Sequence, residues 1–279
     1  REELAYETAM ELADGLVEAR KWKRALAQCE AALEARPGDD RATEMKERVS
    51  RFIKEDQVTD GLVGRWDFEG YEGSDARKIA TDSGRRGMDG TLANMAGNSS
   101  NWVDGRSGSG ALSFDGADDH VELPAGFADF TTGFTVTVWA RPTSNGKYAR
   151  FIDLSNGPGK DNVLLTRQLN RPDLFMEVHG GSRGKSGVSA CGVIEPNKWQ
   201  HFAATIDEEG NAALYKNGSR IATGNTGIPK KVRRTRNYIG RSPWNGDAYY
   251  RGQMDDIRIY NRALTEDEIR KIASAEPRN

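Results

Sequence analysis

The sequence predicts a mainly β protein, an antiparallel two-sheet sandwich preceded by a helical segment of about three helices. Glycine marks the division, because only Gly15 and Gly38 precede position 60 while the other 29 of the 31 glycines follow it. After that position, short runs of β-branched and aromatic residues alternate with clusters of Gly, Asn, Asp and Ser, a spacing typical of an all-β sandwich. We therefore expect helices in residues 1–58 and the sandwich in residues 59–279.

The first segment carries apolar and small residues at helical spacing over residues 4–35. Pro37-Gly38 ends this pattern, and Asp39 or Asp40 can cap a third helix. The third helix has an apolar stripe made of Ala42, Met45, Val49, Phe52 and Ile53.

Small residues in the first two helices, with the proline that follows them, resemble a tetratricopeptide repeat; they are Ala13, Ala25, Ala32 and Pro37. Small residues there let two antiparallel helices approach closely. Because one and a half repeats cannot bury their own faces, the resemblance implies neighbouring repeats in a longer array. A helical hairpin of another kind is the alternative.

A polar linker over residues 55–61 lacks an apolar period and predicts the boundary between the two segments. The strand pattern starts directly after it. The predicted strands cover residues 62–68, 111–114, 120–123, 134–141, 150–154, 162–167, 174–179, 199–206, 212–216, 220–223 and 252–260.

Two local signals complete the element prediction. Asn217-Gly218 supplies the positive φ angles of a two-residue type I′ turn, and it predicts a hairpin between its flanking strands. Thr265 and Glu268 match a capping box, which predicts a short final helix that packs on the sandwich through Ile269, Ile272 and Ala273.

Composition excludes several function classes. Forty basic and 42 acidic residues give a net charge of -2, so no overall field favours nucleic acid or an anionic membrane as partner. Two cysteines and three histidines leave little material for a zinc site. No apolar stretch approaches the roughly 20 residues of a bilayer helix. Because the chain starts at Arg1 without a leader, we expect a piece of a longer multidomain protein, whose other domains would be partners.

Seven short motifs follow one another in the β segment: LVGRWDF (62–68), DSG with DGTL (82–92), GALSFDG with DDHV (110–121), FTVTVW (134–139), WQHFA (199–203), LYKNG (214–218) and MDDIRIYNRAL (254–264). In this order they resemble the laminin-G-like jelly-roll domains of the concanavalin A-like lectin and glucanase superfamily. The resemblance implies a jelly-roll sandwich with a curved face and favours an extracellular or cell-envelope location. It does not select a ligand, because similar domains bind sugars or proteins.

The resemblance also implies a structural calcium ion, since many similar domains carry one. Calcium takes six to eight oxygen ligands, which sandwich loops can supply. We expect Asp118 and Asp256 as side-chain ligands, with Asp82 as a third candidate. One member of the Asp255-Asp256 pair should point inwards, where a carboxylate needs a cation, an arginine or several backbone donors. The alternative is that these aspartates only bond the backbone of their own turns.

Hydrolysis is not expected. Retaining glucanases of the superfamily place their acidic residues on alternate positions of one strand, with nucleophile and acid about 5 Å apart. The acidic strand residues Glu177, Asp207 and Asp256 have no such partners, and no HExxH or G-x-S-x-G motif occurs in a fitting context. The sequence predicts a protein that is not an enzyme, with a glycoside hydrolase as the residual alternative.

Binding of carbohydrate is the function that we expect. A sugar site needs an aromatic plate and a few fixed polar groups. Trp244 and Tyr249 lie in a loop dense in such residues, and Tyr148, Arg150, Arg167 and His179 can project from the curved face. The alternatives are that Trp244 only fills one end of the sandwich, and that the protein is a protein-binding, structural or adhesion domain.

The run Lys230-Lys231-Val232-Arg233-Arg234-Thr235-Arg236 places five cations in seven residues. Clustered arginines can contact sulfate or carboxylate groups, so an anionic polysaccharide or a protein surface is a further candidate partner. A solvated loop is the alternative. Nucleic acid is not expected, because no aromatic residues are interleaved with the cations.

Overall fold

The computed structural model describes residues 2–18, 22–55, 58–68, 78–84, 86–95, 100–106 and 110–275. The chain consists of two compact units, Arg1–Thr59 and Asp60–Asn279, here named the helical unit and the sandwich unit. Of the helices that the structure describes, none has both the length and the apolar character that crossing a bilayer requires.

The helical unit consists of α1 (Glu2–Glu18), α2 (Trp22–Ala35) and α3 (Asp40–Glu55). Asp39 precedes α3, and its carboxylate accepts hydrogen bonds from the backbone N–H of Ala42 at 2.9 Å and from the Tyr6 hydroxyl at 2.7 Å. The core is made mostly of small side chains, and its members are Tyr6, Ala9, Met10, Ala13, Ala25, Cys29, Ala32, Ala42, Met45 and Val49. A tetratricopeptide repeat stays a prediction.

Parts of the predicted third stripe and linker cannot be compared. The side chains of Phe52 and Ile53, and residues 56–57 of the linker, lie outside the described residues.

The sandwich unit contains sixteen strands and one helix in its described residues: β1 (Leu62–Trp66), β2 (Ile79–Ala80), β3 (Gly90–Ala93), β4 (Trp102–Asp104), β5 (Gly110–Asp115), β6 (His120–Leu123), β7 (Phe134–Pro142), β8 (Arg150–Ser155), β9 (Val163–Arg167), β10 (Leu174–Gly181), β11 (Gly184–Ala190), β12 (Gln200–Ile206), β13 (Asn211–Lys216), β14 (Ser219–Asn225), β15 (Arg236–Ile239), β16 (Arg251–Tyr260) and α4 (Glu266–Ser274).

Two antiparallel sheets form the sandwich. The first sheet has the order β14-β13-β12-β7-β16-β5-β4, with β1 also paired to β16, and the second has the order β11-β10-β9-β8-β15-β6-β3-β2. Their facing sides enclose one core, whose largest buried side chains include Trp66, Phe114, Phe130, Phe134 and Phe202. The predicted mainly β, two-sheet antiparallel fold is therefore confirmed.

The outer side of the first sheet is also covered near its centre. Thr135 of β7 donates a hydrogen bond to the carbonyl of Arg262 at 2.8 Å and accepts one from the N–H of Leu264 at 2.9 Å. The Arg106 guanidinium lies 4.1 Å from the centroid of the Trp139 ring. Both faces of β7 are consequently buried.

Two local predictions are confirmed. Asn217 and Gly218 have φ angles of 50° and 81°, as a type I′ turn requires, and they join β13 to β14. Thr265 caps α4: it accepts from the N–H of Glu268, while the Glu268 carboxylate accepts from the Thr265 N–H. Ile269 and Ile272 of α4 are buried.

Five strands had no counterpart in the predicted set: β2, β3, β4, β11 and β15. Four of them have at most four residues, too short for an alternating pattern. The fifth, β11, has seven residues but only one aliphatic side chain larger than alanine, Val188, and it lies at the sheet edge with three of its seven positions exposed. β11 forms a strand because it pairs with β10, and no hydrophobic pattern of its own predicts it.

Candidate functional site

A cavity of about 420 Å³ lies on the outer face of the second sheet. Its walls come from β8 to β11 and from the loops that precede β8 and β16. The lining residues are Tyr148, Arg150, Gly159, Thr166, Gln168, Phe175, Glu177, His179, Lys185, Trp244 and Asp247.

Strand alternation accounts for the contribution of β10. Leu174, Met176 and Val178 point into the core between the sheets. Because successive side chains of a strand point to opposite faces, Phe175, Glu177 and His179 project outwards into the cavity. This period of two places three cavity residues in a row along a single strand.

A β-bulge accounts for the contribution of β8. The register with β9 shifts between Arg150 and Ile152, so that Phe151 and Ile152 both enter the core. The shift places Arg150 on the same outer face as Asp153. The Arg150 Nε donates to the Asp153 carboxylate at 3.1 Å.

Arg150 is a nearly buried cation that connects the floor of the cavity to its wall. Its Nη1 donates to Thr166 Oγ1 at 3.1 Å, and its Nη2 donates to the Asp247 carboxylate at 3.0 Å. The guanidinium also lies 5.3 Å from the centroid of the Trp244 ring. These contacts hold the guanidinium in one orientation.

Trp244 is half-buried, and the fold of its loop fixes it in place. Its backbone N–H donates to Ser242 Oγ at 3.2 Å, and Ser242 donates to the Asp247 carboxylate at 2.7 Å. On the cavity side, the Trp244 ring packs against the His179 ring with centroids 5.4 Å apart. Trp244 is thus an aromatic side chain of the cavity that contacts both Arg150 and His179.

Glu177 links the remaining charged groups. Its carboxylate contacts His179 Nε2 at 2.9 Å and Lys185 Nζ at 3.3 Å. Burial alone would raise the pKa of Glu177, but the hydrogen bond and charge of His179, together with Lys185, outweigh it and lower the pKa. Glu177 is therefore an ionised hydrogen-bond acceptor at neutral pH.

Asp153 lies beneath the cavity and is fully buried. Burial raises the pKa of its carboxyl to about 6, although Arg150 and the hydrogen bond from Asn162 act in the opposite direction. The Asn162 amide donates to Asp153 at 2.8 Å. Asp153 holds Arg150 from behind and does not line the cavity itself.

The structure brings together four of the residues that the sequence analysis names for ligand binding: Tyr148, Arg150, His179 and Trp244. Arg167 is not among the lining residues, because it shares its strand face with Val163 and Leu165 and points inwards. Its Nη1 donates to the carbonyl of Arg171, and burial lowers its pKa. Arg167 is therefore a buried residue and does not project from the curved face as expected.

Tyr249 also lies apart from the cavity lining. Its ring packs beside His120, with centroids 5.9 Å apart. Its neighbour Tyr250 is buried in the core.

Two of the predicted calcium ligands have other partners. Asp256 lies at a bulge of β16 with φ 41°, and its carboxylate accepts hydrogen bonds from Arg65 at 2.8 Å and from Arg258 at 2.9 and 2.5 Å. The sequence analysis allowed a metal ion, an arginine or backbone donors as partners of this carboxylate, and the structure provides two arginines. Asp82 accepts from four backbone N–H groups, those of Arg65, Gly84, Arg86 and Met88.

The third predicted ligand, Asp118, lies in a carboxylate cluster. Ligand oxygens of Asp115, Asp118 and Asp119 lie within 4.8 Å of one another. Burial raises the pKa of Asp119, and the charges of Asp115 and Asp118 act in the same direction. An oxygen-rich group of this kind fits the ligand preference of calcium.

The basic run is not a patch of unpaired cations. Arg234 is fully buried, and it donates to backbone carbonyls that include those of Asp161 and Phe127, at 2.8 and 2.7 Å. Lys230 and Lys231 lie 3.8 and 2.5 Å from aspartate carboxylates. At least three of the five cations therefore already have partners within the protein.

Comparison with known proteins shows the family. The family model described as the concanavalin A-like lectin/glucanases superfamily matches residues 115–270, which is more than half of the chain. The chain belongs to this superfamily. Solved structures with the same concanavalin A-like fold include domain 4 of AbnA, an extracellular arabinanase from Geobacillus stearothermophilus, in complex with arabinotriose. It is 19% identical, with a TM-score of 0.54, and the match covers 76% of this chain and 98% of that chain.

The binding domain of Paraclostridial Mosquitocidal Protein 1 shares the concanavalin A-like fold as well. Its TM-score is 0.55 at 17% identity, over 78% of this chain and 52% of that chain. Among curated proteins, an alpha-L-arabinofuranosidase from Bifidobacterium longum subsp. longum is 27% identical over 218 residues. That match covers 72% of this chain but only 20% of the enzyme, so the chain spans about a fifth of that relative's length.

Proposed function

We propose that the sandwich unit is a non-catalytic carbohydrate-binding module and that the cavity on the second sheet is its site. The observation that supports the proposal is Trp244, a half-buried aromatic ring of the cavity that contacts Arg150 and His179 and lies beside several polar groups. An aromatic surface takes the apolar face of a sugar ring, and fixed polar groups take its hydroxyls.

The comparisons support a carbohydrate ligand. The arabinanase domain that shares the fold was solved with arabinotriose. The curated relative is an arabinofuranosidase, and this chain matches a fifth of it. A module that accompanies a catalytic domain on a polysaccharide would account for both likenesses.

The ionised state of Glu177 supports a binding role for this residue over one as a catalytic acid. A glycoside hydrolase needs one carboxylic acid whose raised pKa keeps it protonated. The pKa of Glu177 is lowered instead, and Asp247 accepts hydrogen bonds from Arg150 and Ser242. Both carboxylates are thus suited to accept hydrogen bonds from sugar hydroxyls.

A glycan array with the whole chain tests the proposal, run with the wild type, Trp244→Ala and Tyr238→Ala. Tyr238 is a half-buried tyrosine of β15 that does not line the cavity, so it is the matched control. We expect saturable binding to one glycan class, about tenfold weaker binding for W244A and an unchanged profile for Y238A. Absence of binding would contradict the proposal and favour a protein partner, whereas release of reducing sugar would favour a hydrolase.

We also propose that the loop of Asp115, Asp118 and Asp119 binds a structural calcium ion. Support comes from the three carboxylates, whose ligand oxygens lie within 4.8 Å of one another. Calcium titration by calorimetry tests it, with Asp118→Asn expected to abolish binding. Asp207→Asn is the control, because Asp207 lies in a different turn and bonds its own backbone neighbours. Absence of heat in the wild type would refute the site.

A further inference from the structure

A second aromatic ring reaches the cavity from the opposite end of β10. Phe175 is half-buried and lines the cavity. Its direct partner on β11 is Ser189, but its Cε2 and Cζ atoms lie over Gly187, the partner of Glu177. The ring therefore leans along the sheet towards the cross-strand pair formed by Glu177 and Gly187.

Gly187 makes this orientation available. A Cβ atom at position 187 would lie 2.6 Å from Cε2 and Cζ of Phe175. The same Cβ would also lie 2.6 Å from the Met176 carbonyl oxygen, so any other residue there would shift the backbone, the ring or both. The glycine thus leaves room for the Cε2–Cζ edge of Phe175 against β11, while Phe175 lines the cavity.

The two aromatic side chains reach β10 at different positions along the strand. Phe175 and His179 are four residues apart in one strand, which separates their Cα atoms by about 13 Å. Trp244 packs on His179, at 5.4 Å between ring centroids. Glu177, with its partner Lys185, lies between the two ends.

The charges that line the cavity balance one another. Arg150 contacts the carboxylates of Asp153 and Asp247, and Lys185 contacts Glu177. Among the described lining residues, both the arginine and the lysine are thus already neutralised by carboxylates. A sulfate or uronate group would therefore meet cations that are already paired with carboxylates.

We propose that the cavity binds an uncharged oligosaccharide of at least two sugar residues along β10, with one sugar on Trp244 and another on Phe175. The inference rests on the proposed function and deepens it, because it names the charge and the minimum length of the ligand. It assigns Phe175 to a second subsite.

Calorimetric titration of the whole chain with ligands of increasing length tests the inference. The uncharged probes are arabino-, xylo- and galacto-oligosaccharides of one to four residues, and the anionic probes are oligogalacturonides of the same lengths. We expect the wild type to bind an uncharged series at least about tenfold more tightly once the ligand spans both rings. Oligogalacturonides should bind more weakly than the uncharged sugars.

Variants of Phe175 separate the second subsite from the first. Phe175→Ala and Phe175→Leu should abolish the gain in affinity with length, because the second sugar loses its aromatic surface. Phe175→Tyr should retain the gain, since it keeps the ring, and Tyr238→Ala serves as the control. Thermal melting of each variant checks that the fold is intact.

The outcomes are distinguishable. If the wild type binds sugars but affinity does not rise with length, or if F175A keeps the rise, the second subsite is refuted while the proposed function stands. Tighter binding of oligogalacturonides refutes the uncharged ligand. If the wild type binds none of the probes and no glycan on the array, the proposed function fails together with this inference.

Discussion

Arg150 illustrates how one side chain organises the cavity. It contacts Asp153 below, Asp247 in the loop and the ring of Trp244 above. The sequence named Arg150, Trp244 and His179 as separate candidates. It could not show that they meet, because the contact depends on a loop 65 residues beyond His179 folding back over β10.

Asp153 should make stability depend on pH in the acid range. Burial raises the pKa of its carboxyl from 3.8 to about 6, so between these values the folded state binds more protons than the unfolded state. Its contribution to stability is therefore greatest at low pH and falls as the pH rises to about 6, by about 3 kcal/mol. We expect Asp153→Asn to lack this component in urea unfolding between pH 4 and 7. An unchanged pH profile in the variant would contradict the raised pKa.

Titration of His201 should change the stability with pH in the direction opposite to that of Asp153. It is fully buried beside Trp139, and burial lowers its pKa to about 3. Between pH 6.5 and 3 the unfolded state binds the extra proton, so stability falls as the pH decreases. We expect His201→Phe to reduce the loss of unfolding free energy between pH 7 and pH 5 by about 2 kcal/mol. Equal losses in variant and wild type would mean that His201 titrates normally.

At the scale of elements, the bulge in β16 explains a puzzle of the sequence. Two consecutive aspartates in a strand should send one carboxylate inwards without a partner. The register of β16 against β7 shifts between Asp255 and Arg258, and Asp256 takes a positive φ angle there. The irregular backbone brings its carboxylate to Arg65 and Arg258.

Removal of that carboxylate should destabilise the sandwich strongly. The side chains of Arg65 and Arg258 are only 9% and 4% exposed, so Asp256→Ala leaves two buried guanidiniums without this partner. We expect a decrease in unfolding free energy of about 3–5 kcal/mol in urea titrations with chelator present. Asp118→Ala, at an exposed position, should change it by less than about 0.5 kcal/mol under the same conditions. Equal effects of the two substitutions would contradict this role of Asp256.

Strands that have a hydrophobic period of their own could be predicted from the sequence. The alternation in β10 predicts a strand that carries His179 on its outer face, and the structure places Phe175 and Glu177 on that face too. The same period could have indicated both residues. The hydrophobic period could not indicate Gly187. This glycine lies in β11, which forms a strand because it pairs with β10, and its importance comes from the Phe175 ring that lies against it.

At the scale of the whole molecule, each unit has its own hydrophobic core. The helical unit is a short segment with a core of mostly small side chains, and small domains bury a smaller share of their surface. We expect calorimetry of the whole chain to show two unfolding transitions, the lower one from the helical unit. Residues 60–279 produced alone should keep the upper transition. A single transition for the whole chain would indicate that the units unfold together.

The order of motifs along the chain predicted the architecture at this scale better than any single segment did. Seven weak motifs in sequence order indicated a jelly roll, and the superfamily match and the two sheets agree with it. Order says nothing about which face carries a ligand. That depends on which loops cover each sheet, and here the first sheet is covered near β7 while the second leaves the cavity.

The pairing of β1 with β16 joins the beginning of the sandwich to its end. Leu62 lies opposite Tyr260, so the two ends of the double sheet are about 5 Å apart, one strand spacing. Because α4 follows β16, a linker from the end of α4 back to Leu62 would close the sandwich unit, and the chain can then be opened at an exposed turn such as Glu208-Glu209. Such a circular permutant would keep every strand neighbour and the cavity. The architecture therefore depends on which strands pair with each other and not on where in the sequence the polypeptide begins.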